Sequence, residues 1–211
     1  MLRKTTTRLF RNTYQYKIVL ICAGSQWFRN SDIKTVMERL IEIDLDKSQK
    51  TNLSWRTTTI KTQDELTYAF KLANVLNSLT DLDVRVESPW ISVYSNSKAD
   101  IEALANIDHD KVKYISEPPE NNVLATNTVI MPKMDYEFRV TLGKTIQEHS
   151  AFISWAENNK KLKLTKSCIK DLSKSRSWGG THFYVTGENN LLMVKMHLGG
   201  SLAKVERIIK A

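Results

Sequence analysis

Hydrophobic positions along this chain come in short runs, and their period switches repeatedly between that of a strand and that of a helix. Residues 16–23 (YKIVLICA) are almost continuously apolar, the pattern of a buried strand, and Gly24 ends the run. After a loop over 24–30, Ser31 or Asp32 caps a helix through Ile43, with Ile33, Val36, Met37, Leu40 and Ile41 at helical spacing. A polar loop follows, and 53–62 alternates and is rich in Thr, which predicts a strand. Thr62 and Glu65 fit a capping box for a helix carrying Leu66, Ala69, Phe70, Ala73 and Leu76. Residues 83–87 and 90–94 alternate on either side of Ser88-Pro89 and predict a hairpin. Asn96 or Ser97 then caps a helix with Ile101, Leu104 and Ile107, and 112–116 is one more short strand.

Residues 118–122 (PPENN) are the strongest punctuation in the chain, and 123–131 is β-prone up to Pro132. Beyond it, 136–142 (YEFRVTL) alternates as a strand, 147–158 reads as a helix, 161–164 as a short strand and 165–178 as a helix. Residues 181–186 (THFYVT) and 191–198 (LLMVKMHL) read as two strands joined by a hairpin loop over 187–190. Gly199-Gly200 leads into a final helix with Leu202, Val205, Ile208 and Ile209 on one face. The second half repeats the grammar of the first. YKIVLICAG sits opposite YEFRVTLGK, and VRVESPWISVYSNSKADIEAL opposite YVTGENNLLMVKMHLGGSLAKVERI.

The predicted fold is therefore α+β: two tandem ferredoxin-like (split βαβ) units, each an antiparallel sheet with helices on one face. The expected boundaries are a basic arm over 1–14, a first unit over 15–117, a linker over 118–134 and a second unit over 135–211. A single α+β domain with one larger sheet is the alternative.

Composition narrows the class. Of 211 residues, 41% are hydrophobic and 26% charged, which excludes a wholly disordered chain. No apolar run reaches the ~18–20 residues of a membrane helix, and the run ending at Ala23 is too short for a signal-peptide core. Two cysteines, Cys22 and Cys168, make neither a disulfide framework nor a zinc site. These features predict an intracellular protein without cofactors and without a membrane partner. The Asn-, Lys- and Thr-rich composition associates the chain with AT-rich or phage genomes.

The net charge of +8 is unevenly placed. Residues 1–30 carry +6 with no acid, 31–134 carry −4, and 135–211 carry +6. Two basic ends around an acidic middle point to an anionic partner, nucleic acid foremost. The sharpest local feature is residues 160–178 (KKLKLTKSCIKDLSKSRSW). Lys160, Lys161, Lys163, Lys166, Lys170, Lys174 and Arg176 stand there against one acid, Asp171. On a helix, Lys163, Lys166, Lys170 and Lys174 fall within about 80° of one another, opposite Cys168, Ile169 and Leu172. A lysine stripe opposite a core stripe suits a phosphate backbone, and a solvated helix face is the plain alternative. Trp178, His182 and Tyr184 follow, with Gly179-Gly180 between, and are candidate base-stacking groups alongside Lys195 and His197. The arm offers Arg3, Lys4, Arg8 and Arg11 to phosphates. The loop offers Trp27, Phe28 and Arg29 as a stacking platform or as a plug for the end of the sheet.

Enzyme signals are thin. The four histidines show no metal-ligand spacing, and no P-loop, GxSxG or dinucleotide fingerprint is present. Asp135 and Glu137 with Lys144 are the nearest approach to a nuclease site, on residues expected to face solvent. The expected function is a non-enzymatic nucleic-acid-binding accessory protein acting through the lysine-rich helix and the basic arm. The alternatives are a protein-interaction subunit of a larger assembly, such as a polymerase accessory factor or viral structural protein, and a metal-dependent nuclease.

Overall fold

The computed structural model describes residues 2–29, 32–45, 60–120, 123–144, 149–174 and 179–210. The chain divides into two compact units, Met1–Val123 and Leu124–Ala211. The runs predicted for 53–59 and 175–178 lie outside the described residues.

In the first unit, β1 (Arg3–Thr5) and β2 (Tyr16–Ile21) lead through a 3-10 turn to α1 (Ile33–Leu45) and α2 (Gln63–Ser78). The hairpin β3 (Asp83–Glu87) and β4 (Trp90–Ser95), α3 (Lys98–Ala105) and β5 (Val112–Glu117) complete it. The strands lie in the order β1-β5-β2-β4-β3. Alternation in β2 decides its two faces. Ile18 and Leu20 are fully buried with Ile91, Val93 and Ile115, beneath Val36, Leu40, Leu72 and Leu104 of the three helices. Lys17, Val19 and Ile21 point the other way. The capping box of α2 forms as expected: the Thr62 hydroxyl accepts from Glu65 N–H, and the Glu65 carboxylate accepts from Thr62 N–H. Ser97, not Asn96, caps α3.

The N-terminal segment read as an arm is instead built into this sheet. Residues 3–5 pair in parallel with β5. Residues 10–14 close a tight turn, with Arg11 and Asn12 at φ of 53° and 61°. Three exposed polar residues carry no periodic signal, so β1 was invisible to pattern reading.

The second unit runs β6 (Thr128–Ile130), β7 (Phe138–Leu142), α4 (Ser150–Glu157), β8 (Leu162–Lys163), α5 (Lys166–Leu172), β9 (His182–Val185), α6 (Glu188–Leu198) and β10 (Leu202–Ile209). Its strand order is β6-β10-β7-β9-β8. The core gathers Val140, Leu142, Phe152, Phe183, Val185, Cys168 and Val194. The Phe152 and Phe183 rings lie 5.7 Å apart. The segment 118–134 does not act only as a linker, because β6 belongs to this sheet.

Two elements here reverse the sequence reading. Residues 191–198 are helical, not a strand. Gly187 takes φ 85°, Glu188 opens the first turn, and Leu191, Val194 and Leu198 are buried at helical spacing. Leu192, Met193 and Met196 are left exposed. With apolar residues both buried and exposed, hydrophobicity marks no single face of this run, and its short length favoured the strand. Residues 202–209 are a strand, not the final helix. Leu202, Val205 and Ile208 also fit a helical stripe, but β10 pairs with β6 on one edge and β7 on the other.

Both units have the same layout. In each, the first strand lies at an edge, beside the fifth, then the second, fourth and third. Each sheet is mixed rather than antiparallel, because the first and last strands pair in parallel while the other neighbours are antiparallel. The internal correspondence is therefore β4-α3-β5 with β9-α6-β10, one element displaced from the match made on sequence.

Candidate nucleic-acid interface

Lysines 160–174 are distributed over three kinds of structure. Lys160 and Lys161 sit in the turn after α4, held by Asn159, whose side-chain carbonyl accepts from Lys161 N–H at 3.0 Å. Lys163 is on the edge strand β8, opposite Tyr184. Lys166 opens α5, Lys170 is in its last turn and Lys174 lies two residues past its end. The stripe of four expected on one helix is therefore two, Lys166 and Lys170, with Lys174 beyond them. Thr165 sets the break. Its hydroxyl accepts from Cys168 N–H at 3.2 Å and donates to the His182 carbonyl at 3.1 Å, which starts the helix and pins it to β9. Cys168 and Leu172 anchor the inner face and are fully buried.

All six lysines are exposed, and none forms an ion pair among the described residues. Asp171, the acid in their midst, accepts a hydrogen bond from the Thr181 hydroxyl at 2.9 Å. The like charges Lys166 and Lys170 are one turn apart, which costs about 0.2–0.5 kcal/mol in an isolated helix. Arg176 and Trp178 lie outside the described residues.

The other predicted contacts separate into distinct environments. Arg3 is committed to Glu102 at 2.7 Å and Glu117 at 3.0 Å, and the Glu102 bond leads in raising its pKa. Arg11 pairs with Asp83 and lies 5.6 Å from the Tyr94 ring. The Arg8 main chain closes a turn with the Thr6 hydroxyl. Lys4 Nζ sits 4.1 Å above the Tyr114 ring. Trp27 and Phe28 fill the end of the first core, which is the plug reading, and a Cβ at Gly24 would stand 3.0 Å from the Trp27 ring. Arg29 donates to the Val86 carbonyl at 3.1 Å.

Tyr184 is only 8% exposed, packed with Tyr136, Val129 and Ile208, so its ring is not available to a base. His182 is held by Arg139 at 3.1 Å on Nδ1 and by the Tyr184 hydroxyl at 3.2 Å on Nε2. Arginine only donates, so the neutral ring accepts at Nδ1 and donates from Nε2. Lys195 and His197 do not join this pair. They ride on α6, where His197 stacks on Trp155 at 5.2 Å. Of the acids that sketched a nuclease site, Asp135 pairs with Lys210 at 3.2 Å and Glu137 accepts from Gly187 N–H. Among the described residues no group of three His, Cys, Asp or Glu is placed to hold a metal ion, and no helix is long and apolar enough to cross a membrane.

Sequence reasoning missed a second basic surface, on the first sheet. Lys17 lies between Tyr94 and Tyr114, 5.5 and 5.6 Å from their centroids. Lys113 Nζ is 3.5 Å from the centre of the Trp90 ring. The alternation of 90–94 already placed Trp90, Ser92 and Tyr94 on one face, and Lys17 shares it through register with Tyr94. Lys113 was hidden, because it is the extra residue where β5 shifts register against β2 between Val112 and Tyr114.

No protein-family model matches the sequence, and neither a curated protein nor a solved structure matches it.

Proposed function

We propose that this chain is a non-enzymatic nucleic-acid-binding accessory protein built from two ferredoxin-like units, each extended by an edge strand. The fold reading rests on the order of the last four strands, fifth-second-fourth-third with antiparallel neighbours, which is the split βαβ arrangement. The functional reading rests on one observation: six exposed lysines within residues 160–174, without a carboxylate partner among the described residues. Uncompensated ammonium groups on a fixed turn, strand and helix fit a run of phosphates. Binding would come from release of condensed counterions, with little preference for sequence.

The test is a triple variant, Lys166→Glu, Lys170→Glu and Lys174→Glu, titrated against labelled single-stranded and hairpin oligonucleotides at low salt. The expected result is loss of binding to both probes with the fold intact by circular dichroism. Unchanged affinity overturns the assignment of the site.

A second reading draws on α6. Leu192, Met193 and Met196 are 58%, 40% and 72% exposed on its outer side, an apolar ridge of the kind that docks protein. Under it, a protein partner stays bound through nuclease treatment and is lost on Met196→Glu.

A further inference from the structure

We propose that the part of the first sheet's outer face left open beside Phe10 and Tyr14, which pack against Tyr94, is a binding site for single-stranded nucleic acid, with Trp90 as the base-stacking group and Lys4, Lys17 and Lys113 as phosphate contacts. This deepens the reading above and rests on it: the lysines of the second unit would supply affinity for any polyanion, and this face would select unpaired strands.

Register assembles the site. On one cross-strand row Trp90 of β4 stands beside Ile21 of β2, and on another Tyr94 stands beside Lys17, which pairs with Ser116 of β5 and through it with Lys4 of β1. The two rows are four residues apart, about 13 Å along the strands. At the first row, Trp90 and Ile21 are 37% and 39% exposed, large apolar groups left in water on a β surface. Lys113 Nζ lies over the indole at 3.5 Å and Lys4 Nζ over Tyr114 at 4.1 Å. A cation held over a ring is poised beside an aromatic face, so a phosphate can take the ammonium while a base takes the ring.

Charge complementarity singles out the occupant. The acids on this face are already matched: Asp83, opposite Tyr94, by Arg11, and Glu87, opposite Trp90, by Arg85. Lys4, Lys17 and Lys113 have no carboxylate partner among the described residues, which leaves three cations interleaved with Trp90 and Tyr114. An exposed ring face reads unstacked bases and not the interior of a duplex.

The experiment uses the full chain, a fluorescein-labelled twelve-residue oligothymidylate and a labelled hairpin duplex, followed by anisotropy at low salt. A matching oligouridylate separates DNA from RNA preference. Trp90→Ala is expected to weaken single-strand binding about 5- to 150-fold, the range for one stacked base. Duplex affinity should move less than about twofold, and Trp90→Phe should restore most of the loss. Lys113→Glu, an exposed change that spares the core, is expected to weaken single-strand binding as well. Single-strand affinity unchanged in both Trp90→Ala and Lys113→Glu overturns this site alone, provided the triple lysine variant still abolishes binding. Absence of binding to every probe overturns both proposals. A self-association abolished by Trp90→Ala, with single-strand affinity unaltered, reassigns the face to protein contact and overturns the site.

Discussion

Phe152 shows how tightly single residues hold the second unit. Its ring is 1% exposed and contacts Phe183, Trp155 and His197 at 5.7–5.9 Å. Phe152→Ala removes those contacts and leaves a cavity, for an expected loss of ~3–5 kcal/mol, readable as a lower urea midpoint. The cysteines give a prediction in pH. Burial pushes the Cys22 thiol up to about 11 and the Cys168 thiol up to about 12. Neither should react with a thiol reagent at pH 8 until the chain is unfolded. The folded state holds these protons more tightly than the unfolded chain, whose thiols titrate near 9. Their contribution is therefore complete below about pH 9 and lost as pH rises from there through about 12. Denaturation midpoints measured from pH 8 to 11 should fall, and a Cys168→Ala variant should show a shallower decline.

Elements were legible where a period and a cap agreed. The helix behind Thr62 and Glu65 has both, and α2 begins as read. The strand starting at Tyr16, which stops at Ile21 two residues short of the expected end, and the hairpin around Ser88-Pro89, a cis peptide bond, were equally plain. The failures have physical causes. Residues 191–198 bury one side of a helix and expose Leu192, Met193 and Met196 on the other, so hydrophobicity marks no face. Strand β10 lies between two neighbours, and that pairing overrides its weak helical spacing. The lysine run was legible as a cation cluster but not as geometry, because Leu162 and Leu164 alternate with Lys161 and Lys163 before Thr165 starts the helix. The correction to α6 is itself testable. Lys195→Pro at an exposed helical position should destabilise the protein by about 3 kcal/mol, measured by chemical denaturation. A strand with Lys195 on an outer edge would tolerate it far better.

At the scale of the whole molecule, two units with separate cores share one strand order. Expressed apart as 1–123 and 124–211, each should give a cooperative melt, since the core of each is drawn from its own residues. The +8 charge was legible from the start, yet Arg3 and Arg11 turned out to be paired inside the first unit, while Lys4, Lys17, Lys113 and the lysines of 160–174 are among the cations without a carboxylate partner in the described residues. The most direct test of nucleic-acid binding is the salt dependence of affinity for a single-stranded oligonucleotide. With three or more lysines on phosphates, the logarithm of the binding constant should fall with the logarithm of salt concentration at a slope of about −2 or steeper. A single Lys170→Ala variant, which keeps the other lysines, should flatten that slope by about 0.7. A shallow slope in the wild-type protein, or one that the variant leaves unaltered, contradicts the account.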